Sequence, residues 1–312
     1  MEIFYLVAGL VLLLVSGEYL VKGAVSLSGH FKISRMVVGI VIVSLGTSAP
    51  ELVVSIDAAI KGHPDISTGN IIGSNISNIA LILGLTAIIM PITVKRKSFR
   101  WDWSVMMGAS ILLYVFMLNL WIEWWEGMIF IIILASFIVH SIHKSRKENR
   151  QNGYNEVKPH FNLLVSMVIV VLSSVGLVYG ADFLVKGTAK IAREMGVSER
   201  VISVSLVAFG TSLPELATSV MAAIRKETDI FVGNIVGSNL FNILAVLGIT
   251  SVFEAIKVNP EVVSWDILWM LAVSILLMLF LLPLRKGKLN RWKGIAFVLV
   301  YIAYIYLVLI GN

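Results

Sequence analysis

The chain has 312 residues, of which 58% are hydrophobic and only 14% charged, with a mean hydropathy of +0.90; these values describe an integral membrane protein and exclude an ordinary soluble domain. At about 20 apolar residues per span, the length holds about ten helices with short loops and leaves no room for a sizeable soluble domain. The absence of cysteine excludes structural disulfides and thiolate metal sites, and the net charge of +6 sits in a chain for which the bilayer, not nucleic acid, is the expected partner.

Apolar runs between charged clusters predict helices over 2–28, 35–60, 66–90, 102–119, 122–141, 161–190, 199–224, 229–253, 263–283 and 292–310. The first carries no basic n-region and continues into Glu18, so it reads as a retained span and not as a cleaved signal. The second and seventh each contain an unusual hexapeptide, Gly46-Thr47-Ser48-Ala49-Pro50-Glu51 and Gly210-Thr211-Ser212-Leu213-Pro214-Glu215. The third and eighth carry Gly69-Asn70-Ile71-Ile72-Gly73-Ser74-Asn75 and Gly233-Asn234-Ile235-Val236-Gly237-Ser238-Asn239. Between the fifth and sixth lies a hydrophilic stretch, 143–160, holding Lys144, Arg146, Lys147, Arg150 and Lys158; its composition reads as a flexible solvated linker.

The two sides of that linker repeat at a constant offset of 164 residues, without insertions, from Gly17 paired with Ala181 to Gly84 paired with Gly248. The expected organisation is a first five-helix repeat over 1–141 (motifs 44–84), a linker over 142–160 and a second repeat over 161–312 (motifs 208–248). Lys and Arg gather on the cytoplasmic side of membrane proteins. With the N-terminus outside, 18 of the 25 fall in inner loops and five in outer loops, so both termini are expected to be extracellular. Five helices per half is an odd number, so the second half enters the membrane from the opposite face. The predicted fold class is therefore an all-α polytopic membrane protein, two inverted five-helix repeats with broken helices.

Pro50 and Pro214 have no N–H for the carbonyls of Gly46 and Gly210 and push those carbonyls aside. Exposed backbone oxygens persist in a membrane only where protein, water or a bound cation supplies a partner. Thr47, Ser48, Thr211 and Ser212 add hydroxyls at the break, and Glu51 and Glu215 fall about one helical turn further on. All are hard oxygen donors, suited to calcium, sodium or magnesium. A kinked helix with a hydrogen-bonded glutamate is the plain structural alternative for one copy, and two matched copies argue against it. The Gly73 and Gly237 segments read both as small-residue packing notches and as part of the site. Asn78 and Asn242 either offer an amide oxygen to a cation, directly or through water, or bridge helices.

The paired Gly-Thr-Ser-x-Pro-Glu and Gly-Asn-Ile-x-Gly-Ser-Asn segments resemble the alpha repeats of the cation/calcium antiporter superfamily, and within it the prokaryotic sodium/calcium exchangers. The resemblance covers essentially the whole chain. It implies a core of helices 2, 3, 7 and 8 around the cation sites, with helices 1 and 6 sliding across it to alternate access. It further implies calcium held by Glu51 and Glu215 with backbone oxygens of Thr47 and Thr211. For sodium it implies Ser48, Ser212, Ser74, Ser238, Thr47, Thr211 and the carbonyls of Ser44 and Ala208. Many members carry Asp where this chain has Asn242, and its absence disfavours potassium co-transport. Gly73 and Gly237 stand where calcium/proton exchangers carry an extra glutamate, which lowers that alternative.

Two glutamates give a formal charge of about −2, which one calcium neutralises and sodium neutralises only with two or more ions. The expected activity is electrogenic sodium/calcium antiport by alternating access, with calcium and sodium as transported ions, no cofactor, and a working monomer. A cation channel could use the same donors, but paired breaks in inverted halves favour alternating access. An intramembrane hydrolase lacks Ser-His or zinc-ligand spacing, and the five histidines lie near loops or helix ends. Glu18–Lys22 and Asp182–Lys186 are expected as i,i+4 pairs, Asp57 as a residue of the site's mouth, and the eight tryptophans as an interfacial belt.

Overall fold

The structure, a computed structural model, describes residues 2–63, 65–94, 96–151, 159–194, 208–281 and 287–310. The helices are α1 (Glu2–Phe31), α2 (Arg35–Thr47), α3 (Ala49–Ile60), α4 (Ile66–Ile89), α5 (Arg96–Met117), α6 (Trp124–Gln151), α7 (Leu163–Glu194), α8 (Leu213–Ile224), α9 (Thr228–Phe253), α10 (Val262–Leu281) and α11 (Arg291–Ile310). Among the described residues, seven are long and apolar enough to cross a membrane, or eight if α2 and α3, bent by 45°, form one broken span. The protein is thus an all-helical membrane protein. In the ten-helix reading the remaining places belong to α5, whose first turns carry Arg96, Lys97, Arg100 and Asp102, and to α8, preceded by residues 195–207 outside the described set.

Several helix ends differ from expectation, α5 beginning at Arg96 and not at 102, and α7 running past 190 to Glu194. α1 continues past residue 28 to Phe31, and α6 past 141 to Gln151, so the first part of the hydrophilic stretch is helical and not flexible chain. Polar anchoring explains this: Ser145 Oγ accepts from the Ser34 N–H at 2.7 Å, and Asn149 Nδ2 donates to the Lys32 carbonyl at 3.0 Å. Residues 152–158 of the expected linker lie outside the described residues.

The chain forms two compact units, each drawing on both sequence halves: Met1–Pro50 with His140–Asn234, and Glu51–Val139 with Ile235–Asn312. In the first, α1 and α7 touch backbone to backbone, because a Cβ on Gly9 would stand 2.7 Å from the Leu184 nitrogen and 2.8 Å from the Gly180 oxygen. Both expected ion pairs form, Lys22–Glu18 and Lys186–Asp182, each at 2.7 Å. Glu18 also accepts from Arg225, just beyond the end of α8, a cross-link that spacing along one helix could not announce.

In the second unit some contacts recur at the offset of 164 residues. The strand Ile92–Thr93 pairs with Lys288–Leu289, and Ile256–Lys257, 164 residues later, pairs with Trp121–Ile122. Likewise a Cβ on Gly294 would stand 2.6 Å from the Gly84 oxygen, and one on Gly127 would stand 2.5 Å from the oxygen of Gly248, the repeat partner of Gly84. Trp101, Trp121, Trp124, Trp125, Trp265 and Trp292 are exposed, as a belt requires. Trp103 is not only a belt residue, since its Nε1 donates to the Ser274 carbonyl of α10 at 2.9 Å. α4 and α9 stand apart from the other spans: their apolar windows are 83% and 100% buried, against 22–39% elsewhere, so their side chains face protein and not lipid.

Candidate ion-binding site

α2 ends at Thr47, Ser48 leaves helical geometry at φ −86°, ψ 8°, and α3 begins at Ala49. The second motif repeats this, with Ser212 at φ −85°, ψ −1° between the turn Ala208–Thr211 and α8. One proline does both jobs in each motif: it denies a hydrogen bond to the incoming helix and occupies the first turn of the outgoing one, where a missing N–H costs nothing.

In the first unit, Ser44, Thr47, Ser48, Thr211, Ser212 and Glu215 are all buried. Ser48 Oγ donates to Glu215 Oε1 at 3.0 Å, while Glu215 Oε2 and Ser212 Oγ have no hydrogen-bond partner. Ser44 turns its hydroxyl into its own helix, toward the carbonyls of Gly39 and Ile40 at 2.8 and 2.6 Å, so only its carbonyl remains available. That carbonyl already accepts from the Ser48 N–H at 2.8 Å and the Thr47 hydroxyl at 3.3 Å, and binding a cation there requires Thr47 to turn away. Ala208 lies in the turn before the second break.

The second unit carries Glu51, Ser74, Asn78, Ser238 and Asn242, again all buried. Ser74 Oγ and both amide atoms of Asn78 have no hydrogen-bond partner. Asn242 Nδ2 donates to Asn75 Oδ1 at 3.1 Å, and its own Oδ1 is unpartnered. Wide π-type turns begin here, at Ser77–Ile82 and Asn242–Leu247, an irregularity often found at functional sites. A Cβ on Gly73 would meet nothing within 4 Å, so this glycine is not a packing notch; the space beside it is open.

Each buried polar atom without a partner costs about 1–3 kcal/mol, and in each unit such atoms gather on one of the repeated motifs. Among the described residues no three His, Asp or Glu group together, so the donor chemistry is that of Ser, Thr and Asn oxygens with single glutamates, suited to sodium or calcium. Asp57, half of an exposed pair with Lys61 at 2.7 Å, takes no part in it. Sequence reasoning missed Asn234 and Ser219, which hydrogen-bond to each other at 3.3 Å beside the first break. The signal available was the Gly-Asn of the repeated motif, which sets Asn234 one helical turn before Ser238.

Residues 1–143 and 165–310 match the family model described as sodium/calcium exchanger protein. The chain belongs to this family. Sodium/calcium exchanger MaX1 of Methanosarcina acetivorans is 29% identical, over 96% of this chain and 96% of its own. Inner membrane protein YrbG of Escherichia coli is 30% identical over 96% and 95%. Among solved structures, the sodium-calcium exchanger NCX_Mj soaked with sodium and strontium superposes with a TM-score of 0.83 at 33% identity, covering 98% of this chain and 97% of that one. Membership of the family makes the chain a secondary transporter, not an enzyme.

Proposed function

We propose that the chain is an electrogenic, potassium-independent sodium/calcium antiporter working as a monomer, with ten spans in two inverted repeats over 1–141 and 161–312 and both termini outside. Glu51 and Glu215 supply the charge that calcium neutralises, with backbone oxygens of Thr47 and Thr211. Sodium takes the hydroxyls of Ser48, Ser212, Ser74 and Ser238, Thr47 and Thr211, and the carbonyls of Ser44 and Ala208; Asn78 and Asn242 line the cavity without charge. The inverted arrangement is supported by the paired strands. The loops holding Ile92–Thr93 and Lys288–Leu289 are both predicted inside, and those holding Ile256–Lys257 and Trp121–Ile122 both outside.

The observation that carries this reading is the buried Glu215 at the break, one oxygen held by Ser48 and the other unpartnered. A carboxylate so placed is stable as an anion only when a cation joins it. Two loads that compete for one set of oxygens, and cross only when bound, exchange one for the other. In sodium-loaded proteoliposomes, calcium-45 uptake is expected to require an outward sodium gradient and to vanish in Glu51→Gln and Glu215→Gln. Undiminished uptake in both variants overturns the assignment, and uptake driven by a proton gradient alone assigns the coupling ion differently.

A further inference from the structure

We propose that Asn234 is a positioning residue of the first break, bridging Thr47 to Ser219 and holding the Thr47–Ser48 backbone where its oxygens can serve an ion. The transport consequences rest on the antiporter reading; the bridge does not. Asn234 is fully buried on α9. Thr47 Oγ1 lies 3.3 Å from Asn234 Oδ1, and Asn234 Nδ2 lies 3.3 Å from Ser219 Oγ. Either orientation of the amide serves, because both partners carry hydroxyls that donate or accept. Ser219 follows Glu215 by one helical turn on α8, so the two side chains share a face.

Together with the Ser48–Glu215 bond, these contacts close a ring that fastens two successive residues of the break, Thr47 and Ser48, to one face of α8. The two fastenings differ in kind. Ser48 is bonded to the carboxylate that a cation would engage, so its bond must yield when an ion binds. Asn234 touches no charged group in this ring, and its bridge can persist while Ser48 changes partner. The Thr47 hydroxyl also reaches the Ser44 carbonyl at 3.3 Å and hydrogen-bonds to Glu215, so Asn234 is one of three acceptors it can serve. The repeat partners do not copy the bridge: Ser55 Oγ and Asn70 Nδ2 are both without hydrogen-bond partners.

The test compares Asn234→Ala, Ser219→Ala and the double variant with the unmodified chain, by calcium-45 flux and by amide hydrogen exchange of peptides covering 44–51. Loss of one bridging bond is expected to raise half-saturating calcium about fivefold while leaving the maximal rate within about twofold. Peptides over 44–51 are expected to exchange faster in both single variants, and the double variant to behave like Asn234→Ala alone. Additive effects, or a Ser219→Ala variant that changes neither readout, overturn the proposal. If the unmodified chain shows no sodium-driven calcium flux, the antiporter reading fails, and the exchange measurement still decides the bridge.

Discussion

Ser48 donates to Glu215 across a separation of 167 residues in sequence, and in doing so it occupies the carboxylate oxygen that a cation would otherwise engage. In the proposed site, binding sodium at Ser48 would exchange one favourable contact of the carboxylate for another, which keeps affinity moderate and release possible. Ser48→Ala removes the internal donor and, in the proposed site, a sodium ligand, and is expected to raise half-saturating sodium several-fold more than half-saturating calcium, read from flux at graded concentrations of each ion. Asn242 faces the oxygen of Asn75 with its amide nitrogen, so its identity as an amide matters to packing as well as to charge. Asn242→Asp adds an anion and sets two acceptors against each other. A higher Hill coefficient for sodium, by about one, is expected together with a lower melting temperature in detergent. The glutamates and hydroxyls of the proposed site are legible from spacing because their chemistry is intrinsic to the side chain. Which hydroxyl each one bonds was not readable.

At the scale of the element, the breaks follow from proline alone. Pro50 and Pro214 were legible because the missing N–H acts within one turn, whatever surrounds it. Pro50→Ala restores a donor for Gly46 and is expected to straighten the 45° bend between α2 and α3, cutting calcium flux about tenfold while circular dichroism stays unchanged. Helix contacts are a different matter, since a glycine looks the same in sequence whether it faces a neighbour or a void. Gly127→Ala places a Cβ 2.5 Å from the Gly248 oxygen, whereas Gly73→Ala meets nothing within 4 Å. Thermal unfolding is expected to show about 1–3 kcal/mol lost for Gly127→Ala and little change for Gly73→Ala. The extension of α6 to Gln151 was hidden for a related reason: its anchors, Ser34 and Lys32, come from the turn between α1 and α2.

For the whole molecule, the membrane class, the repeat and the loop charges were written in the chain, because hydropathy and charge bias act summed over many residues and tolerate local error. The orientation can be checked directly, since the chain has no cysteine and an introduced one reports alone. Lys147→Cys is expected to be labelled only from the inside of the membrane and Lys257→Cys only from the outside; the reverse pattern would invert the topology. Sequence by itself determined that this is a polytopic membrane protein with two matched, proline-broken motifs rich in oxygen donors, since each of those features depends on local stereochemistry or on sums over composition. Only the tertiary structure decided that Thr47 is held by Asn234, a residue 187 positions away, and that Gly73 borders open space while Gly127 presses on a backbone. Partners in space depend on how helices cross, and the pattern along one helix carries no record of the crossing.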